Sequence, residues 1–214
     1  MKKRSILISI IILIVFGAIL LTIKNFDLIV EKYEWHKVDK MAEKEHAQLM
    51  EKFKAGQQLT SSEIGRIVTY CNLNSKYDEG IGVLQEILKQ QDAYMAYFGL
   101  SELIAEKAKT TGPVDIRRSL ISKSLSYLKQ GFNKVPDKAH AYFMRGNAYA
   151  YLGCLDIAID DLNRSLVESK KTKTTMLSDG VYVDQKRFAQ VVEKNITEFK
   201  KVQNVCLLDE IQQK

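Results

Sequence analysis

Residues 139–166 read AHAYFMRGNAYAYLGCLDIAIDDLNRSL, and this stretch decides the fold. Tyr142, Gly146 and Tyr149 recur at spacings of four and three, which puts them on one face of a helix. With no side chain at Gly146, a second helix can approach that face closely. Gly153 then interrupts the pattern, and Ala158, Leu162, Ser165 and Leu166 form the inner face of a second helix. The segment predicts two helices joined by a short turn, each with one apolar stripe.

A second copy lies upstream at a fixed offset. Ala96-Tyr97-Phe98 aligns with Ala141-Tyr142-Phe143, forty-five residues later, and Leu103-Ile104 falls opposite Ala148-Tyr149. This middle copy spans 94–136, with an inner face of Tyr97, Leu100, Ser101 and Ile104, a loop over Lys109–Asp115, and a second helix ending at Pro136. A more degenerate copy spans 61–92, with Ile64, Ile67, Val68 and Cys71 on its first helix and Tyr77, Gly80, Ile81, Leu84 and Leu88 on its second. The best-formed copy is 139–170. Repetition at this length implies stacked supersecondary units that each bury their apolar face on a neighbour.

These residues resemble the tetratricopeptide repeat (TPR). Tyr142, Gly146, Tyr149 and Gly153, followed by Ala158-Ile159 and Leu166, match its order of aromatic, small residue, aromatic, turn glycine and second helix. Arg145 stands where that family prefers Leu, and Lys170 where it prefers Pro. The lengthened turn of the middle copy is similar to that of Sel1-like repeats. The resemblance implies an all-α solenoid of antiparallel helix pairs that binds other proteins. Its repeat-packing positions here are Tyr97, Tyr142, Gly146, Tyr149, Gly153 and Ala158. An open stack needs a cover, and 184–206 suits a capping helix, with Phe188, Val191, Val192, Ile196, Phe199 and Val202 at three- and four-residue spacings. The intervening Ser169–Gly180 is polar and turn-rich and reads as a mobile loop.

At the other end, residues 1–4 are MKKR and residues 5–23 carry no charge. Nineteen uncharged, mostly apolar residues at about 1.5 Å each span a hydrocarbon core of roughly 30 Å. The run is longer than the apolar region of a cleavable leader and lacks a small-residue cleavage pattern, so it reads as an uncleaved signal-anchor. The contiguous basic residues before it favour keeping that end inside, which exports the repeats. Lys24, Lys32 and Lys37 make the balance of flanking charge close. Residues 24–56 follow as a charged stalk helix that packs partly on the domain through Leu49 and Phe53. A heptad starting at Leu28 puts Glu31, Glu45 and Lys52 in the seam, which argues against a coiled coil.

The net charge of +6 is not a nucleic-acid signature, because Lys2, Lys3 and Arg4 supply half of it. His36, His46 and His140 stand in three separate elements and read as exposed helix residues rather than metal ligands. Asp160-Asp161 reads as a solvated face, since adjacent helical residues diverge. With no phosphate loop, nucleophile elbow or paired cysteines, the reading is a non-enzyme: no catalytic residue, metal, cofactor, nucleic acid or small-molecule substrate is expected.

On the family's rule, the concave face is lined by residues one step round from the packing face. That predicts a partner groove of Thr69, Asn72, Phe98, Glu102, Glu106, His140, Phe143, Asn147 and Tyr151. Phe98 and Phe143 can equally be packed against neighbouring helices. They also stand where the family's clamp for chaperone tails needs basic residues, so that ligand is excluded. The partner expected is a peptide or helix segment of a membrane or envelope complex, held by an anchored scaffold or assembly protein. The alternatives are a receptor with its repeats in the cytosol and, from another class, an enzyme. Cys154 and Cys206 can form a disulfide only if the chain breaks near Gln203-Asn204. Continuous helices would leave Cys206 about 12 Å past Cys154, so three free thiols are the default.

Overall fold

The computed structural model describes residues 40–178 and 181–209. The apolar run 5–23 and most of the stalk lie outside these residues. Among those described, no helix is long and apolar enough to cross a membrane. Two compact units divide at Ala47 and Gln48. In the first, residues 40–47 are helical. The second takes in the end of the stalk, as expected from Leu49 and Phe53: Leu49 is buried, and Met50 and Phe53 pack with Leu59, Ile64 and Ile67.

The second unit is mostly helical. After a helical stretch over 48–54 (α1) come α2 (Ser61–Leu73), α3 (Tyr77–Gln90), α4 (Tyr94–Thr110), α5 (Val114–Lys134), α6 (Lys138–Tyr151) and α7 (Leu155–Ser169). A β-hairpin of β1 (Thr174–Ser178) and β2 (Val181–Asp184) leads into α8 (Gln185–Phe199). Capping fixes several helix starts. Thr60 Oγ1 accepts the Glu63 N–H while the Glu63 carboxylate accepts the Thr60 N–H. Asp137 and Asp184 cap α6 and α8 through His140 N–H and Arg187 N–H.

Helices pair as α2/α3, α4/α5 and α6/α7, each across a three-residue turn. Ser101 faces Ser124 at 3.0 Å between their hydroxyls, and Tyr97, a turn earlier, faces Tyr127, so α4 and α5 run antiparallel. In α6/α7, a Cβ on Gly146 would lie 3.0 Å from the Ala158 carbonyl oxygen, so the missing side chain sets this close approach. First helices also meet first helices. Phe98 clusters with Ala141 and Ala148, and Phe143 and Phe188 join α6 to α8 in a T-shaped ring contact at 5.8 Å. Among the repeat-packing residues, Tyr142 meets Phe132 of the preceding pair at 5.4 Å, and Ala158 is buried.

Four sequence expectations need correction. The turn after α4 is Thr111–Pro113, not Lys109–Asp115, because α4 and α5 each extend into the polar stretch. Residues 169–180 are not simply a loop. Thr175 and Met176 are buried, β1 pairs with β2 (Thr175↔Val183, Met176↔Tyr182), and the Met176 N–H donates to the Asp137 carboxylate at 3.0 Å. The capping helix ends at Phe199 instead of 206. Asp161 is buried, whereas Asp160 is exposed and pairs with Arg164.

Candidate functional site

The described surface is hollowed along the first helices of successive pairs. One cavity of about 570 Å³ is lined by Glu102 and Lys109 of α4, Met144, Asn147 and Tyr151 of α6, and Asn195, Glu198 and Phe199 of α8. A smaller hollow of about 230 Å³ shares Glu102, Met144 and Tyr151 and continues onto Arg66, Thr69 and Met95. The two form one groove crossing α2, α4, α6 and α8. Its floor is apolar where Met95, Met144 and Phe199 lie. Its polar fixtures are held by each other: Asn195 Nδ2 donates to Asn147 Oδ1 at 3.0 Å, and Asn72 Nδ2 donates to the Glu102 carboxylate at 2.8 Å.

Of the groove residues expected from sequence, the structure brings Thr69, Asn72, Glu102, Asn147 and Tyr151 together. It withdraws three. Phe98 packs among Leu128, Val135 and Ala141 but keeps an edge on the smaller hollow, whereas Phe143 is buried among Leu162, Phe188 and Val192. His140, only 1% exposed, is wedged between the Tyr94 and Phe143 rings, and His46 is buried as well. Glu106 turns to Lys109. A stripe on a first helix opens to the groove only where the next first helix does not cross it. That crossing point is not written in the spacing. Met95, Met144 and Phe199 are hidden for the same reason, since at helical spacing a Met or Phe reads as core, and Asn195 reads as a solvated helix position.

Glu102 is the unusual group. Burial pushes its carboxyl above the ordinary range, against the Asn72 amide and the Tyr151 hydroxyl, which favour the charged form. The same burial, with the Glu102 charge alongside, holds the Tyr151 phenol protonated. A raised carboxyl means the ionised form is penalised in the fold. The penalty is absent where folded and unfolded chains are both protonated, and grows as pH rises through and above the ordinary carboxylate range. Glu102→Gln is therefore expected to melt higher than the parent near neutral pH. The gain should fade as pH falls towards about 4. Thermal melts across that range check it, and a gain that grows with acidity would show the sign to be wrong.

The second feature is the tail. Cys154 and Cys206 are joined in a disulfide, so the default of three free thiols does not hold, and Cys71 alone is free. The break this bridge needs begins at Lys200, where α8 has ended. Asn204 then docks at the start of α7, its Oδ1 accepting the Leu155 N–H at 2.8 Å and its Nδ2 donating to Asp156 at 2.8 Å. Cys154, at the N-cap position, has no side-chain capping bond of its own, so the tail supplies the cap. The Leu207 N–H donates to the Leu152 carbonyl at 2.9 Å, and Leu207 and Leu208 cover Ala105, Ala108 and Ile121. Gly153 makes this seat, with φ +72° and a would-be Cβ only 2.1 Å from the Val205 carbonyl oxygen.

No family model, no curated protein and no solved structure matches this chain.

Proposed function

We propose that the chain is a membrane-anchored, TPR-like scaffold or assembly protein whose repeat groove holds a segment of a protein partner, with the repeats on the exported side. The observation that carries the reading is the groove itself, built by first helices in succession, apolar at its floor and furnished with an amide pair, a phenol and a carboxylate. That composition suits an extended or helical segment. The disulfide supports the exported side, because such bonds persist in oxidising compartments and are rare in the cytosol. It also weighs against the receptor with cytosolic repeats. The apolar run 5–23 supports the anchor.

Native thiols cannot report the topology. Cys154 and Cys206 are bonded, and Cys71 is fully buried with its thiol pushed up to about 11. A Ser122→Cys variant places a thiol on the exposed back of α5. It is expected to react with a membrane-impermeant maleimide on intact cells. Protection until permeabilisation would sink the exported reading. A photo-crosslinking residue at position 147 is expected to give one discrete adduct in the same cells, and one at Lys123 on the back face none. Equal adducts from both positions, or none from 147, would remove the groove as the partner site.

A further inference from the structure

Resting on that groove reading, we infer that the groove selects a partner segment by a cationic side chain, an arginine or lysine beside an apolar residue, which seats on Glu102. Three carboxylates stand in or beside the cavity. Glu198 is paired with Lys201 at 2.8 Å, and Glu106 with Lys109. These pairs leave the rim close to neutral. Glu102 differs from both: its hydrogen-bond partners, the Asn72 amide and the Tyr151 hydroxyl, are neutral. It sits on α4 where the two hollows join, so a side chain entering from either can reach it.

A carboxylate withdrawn from water and hydrogen-bonded by neutral donors is only weakly compensated here, by Lys109, whose ammonium is itself paired with Glu106. A guanidinium or ammonium arriving from a partner supplies that compensation and gains a charge-assisted hydrogen bond in a partly desolvated place. An anionic segment meets the reverse, an unpaired like charge. The neighbouring Met144 and Phe199 provide an apolar wall for the residue beside the cation, and the Asn147–Asn195 amide pair lies alongside to accept or donate to its backbone. Asn72 and Tyr151 fix the direction of the carboxylate, so the charge is positioned before the partner arrives.

The test uses the full chain in nanodiscs of zwitterionic phosphatidylcholine, with empty nanodiscs as the blank. Two fluorescein-labelled peptides are titrated by anisotropy: Gly-Leu-Ala-Arg-Ala-Phe-Gly, and the same peptide with citrulline, the neutral isostere, in place of arginine. The arginine peptide is expected to bind at least about tenfold more tightly. Glu102→Gln should bring both peptides to the citrulline level, while Lys123→Gln on the back face should leave the preference unchanged. Equal binding of both peptides to the parent, or an arginine preference that survives Glu102→Gln, overturns the inference. If that equal binding is abolished by Asn147→Trp, which fills the cavity, the groove reading survives alone. No binding by either peptide also overturns the inference, and the crosslinking from position 147 then decides the groove reading separately.

Discussion

Arg145→Leu is expected to destabilise the second unit by about 3–5 kcal/mol, although leucine is the residue that the resemblance to the tetratricopeptide repeat would lead one to expect there. Arg145 grips the buried Asp161 with two parallel bonds, Nε to Oδ2 at 2.6 Å and Nη2 to Oδ1 at 2.8 Å. Its guanidinium also lies 4.0 Å from the Phe132 ring centre and 5.2 Å from that of Tyr142. The arginine thus ties α7 to α6 and α6 to the preceding pair at one point. Leucine would fill space on Phe132 but leave the Asp161 carboxylate buried without its charge partner, which is the costly case. The double variant Arg145→Leu/Asp161→Leu removes both charges, and its loss should be about 1 kcal/mol or less. Chemical denaturation of the three proteins, followed by circular dichroism, measures the difference. Equal losses for the single and double variants would show that the ion pair is incidental and that the ring contacts carry the site.

That pair also shows what the sequence conceals. Helical spacing along 139–166 correctly gives two helices and the turn at Gly153, because period and glycine are local properties. It gives no reason for an arginine at 145, since the compensating Asp161 is sixteen residues on and looks like half of a solvated acidic pair. The same limit appears at Phe98 and Phe143. Their faces could be read, but whether a face meets solvent or the next helix depends on where successive helices cross. The hairpin is legible in the sequence. Asp179-Gly180 separates two runs rich in β-branched residues, Thr174-Thr175 and Val181-Tyr182-Val183, a strong short-range hairpin signal. The disulfide was legible as an option and turned on a single quantity, the length of α8. Helix propensity could not set that length, because the stop at Phe199 is made by the docking of Asn204 and the residues beyond it.

The docked tail leads to the other large expected effect. By chain entropy, a bond between residues 52 apart contributes about 4 kcal/mol, so reduction or Cys206→Ser should lower stability by roughly that amount. Gly153→Ala should cost about 3 kcal/mol on its own, from two sources that can be separated. A left-handed backbone conformation at a residue with a Cβ costs about 1–2 kcal/mol wherever the tail lies. The rest comes from the Val205 carbonyl oxygen, which would stand 2.1 Å from the new carbon and must move. While the disulfide holds Cys206 to Cys154, the tail cannot lift away without straining the bond, the Asn204 cap and the Leu207–Leu152 hydrogen bond together. Once Cys206 is serine, the tail is free to shift, and the alanine meets only the backbone term. The two substitutions should therefore be non-additive, with the double variant losing less than the sum of the singles by about 1–2 kcal/mol. Strict additivity would mean that the carbonyl relaxes with the bond intact, and that Gly153 serves the turn alone rather than the seat of the tail.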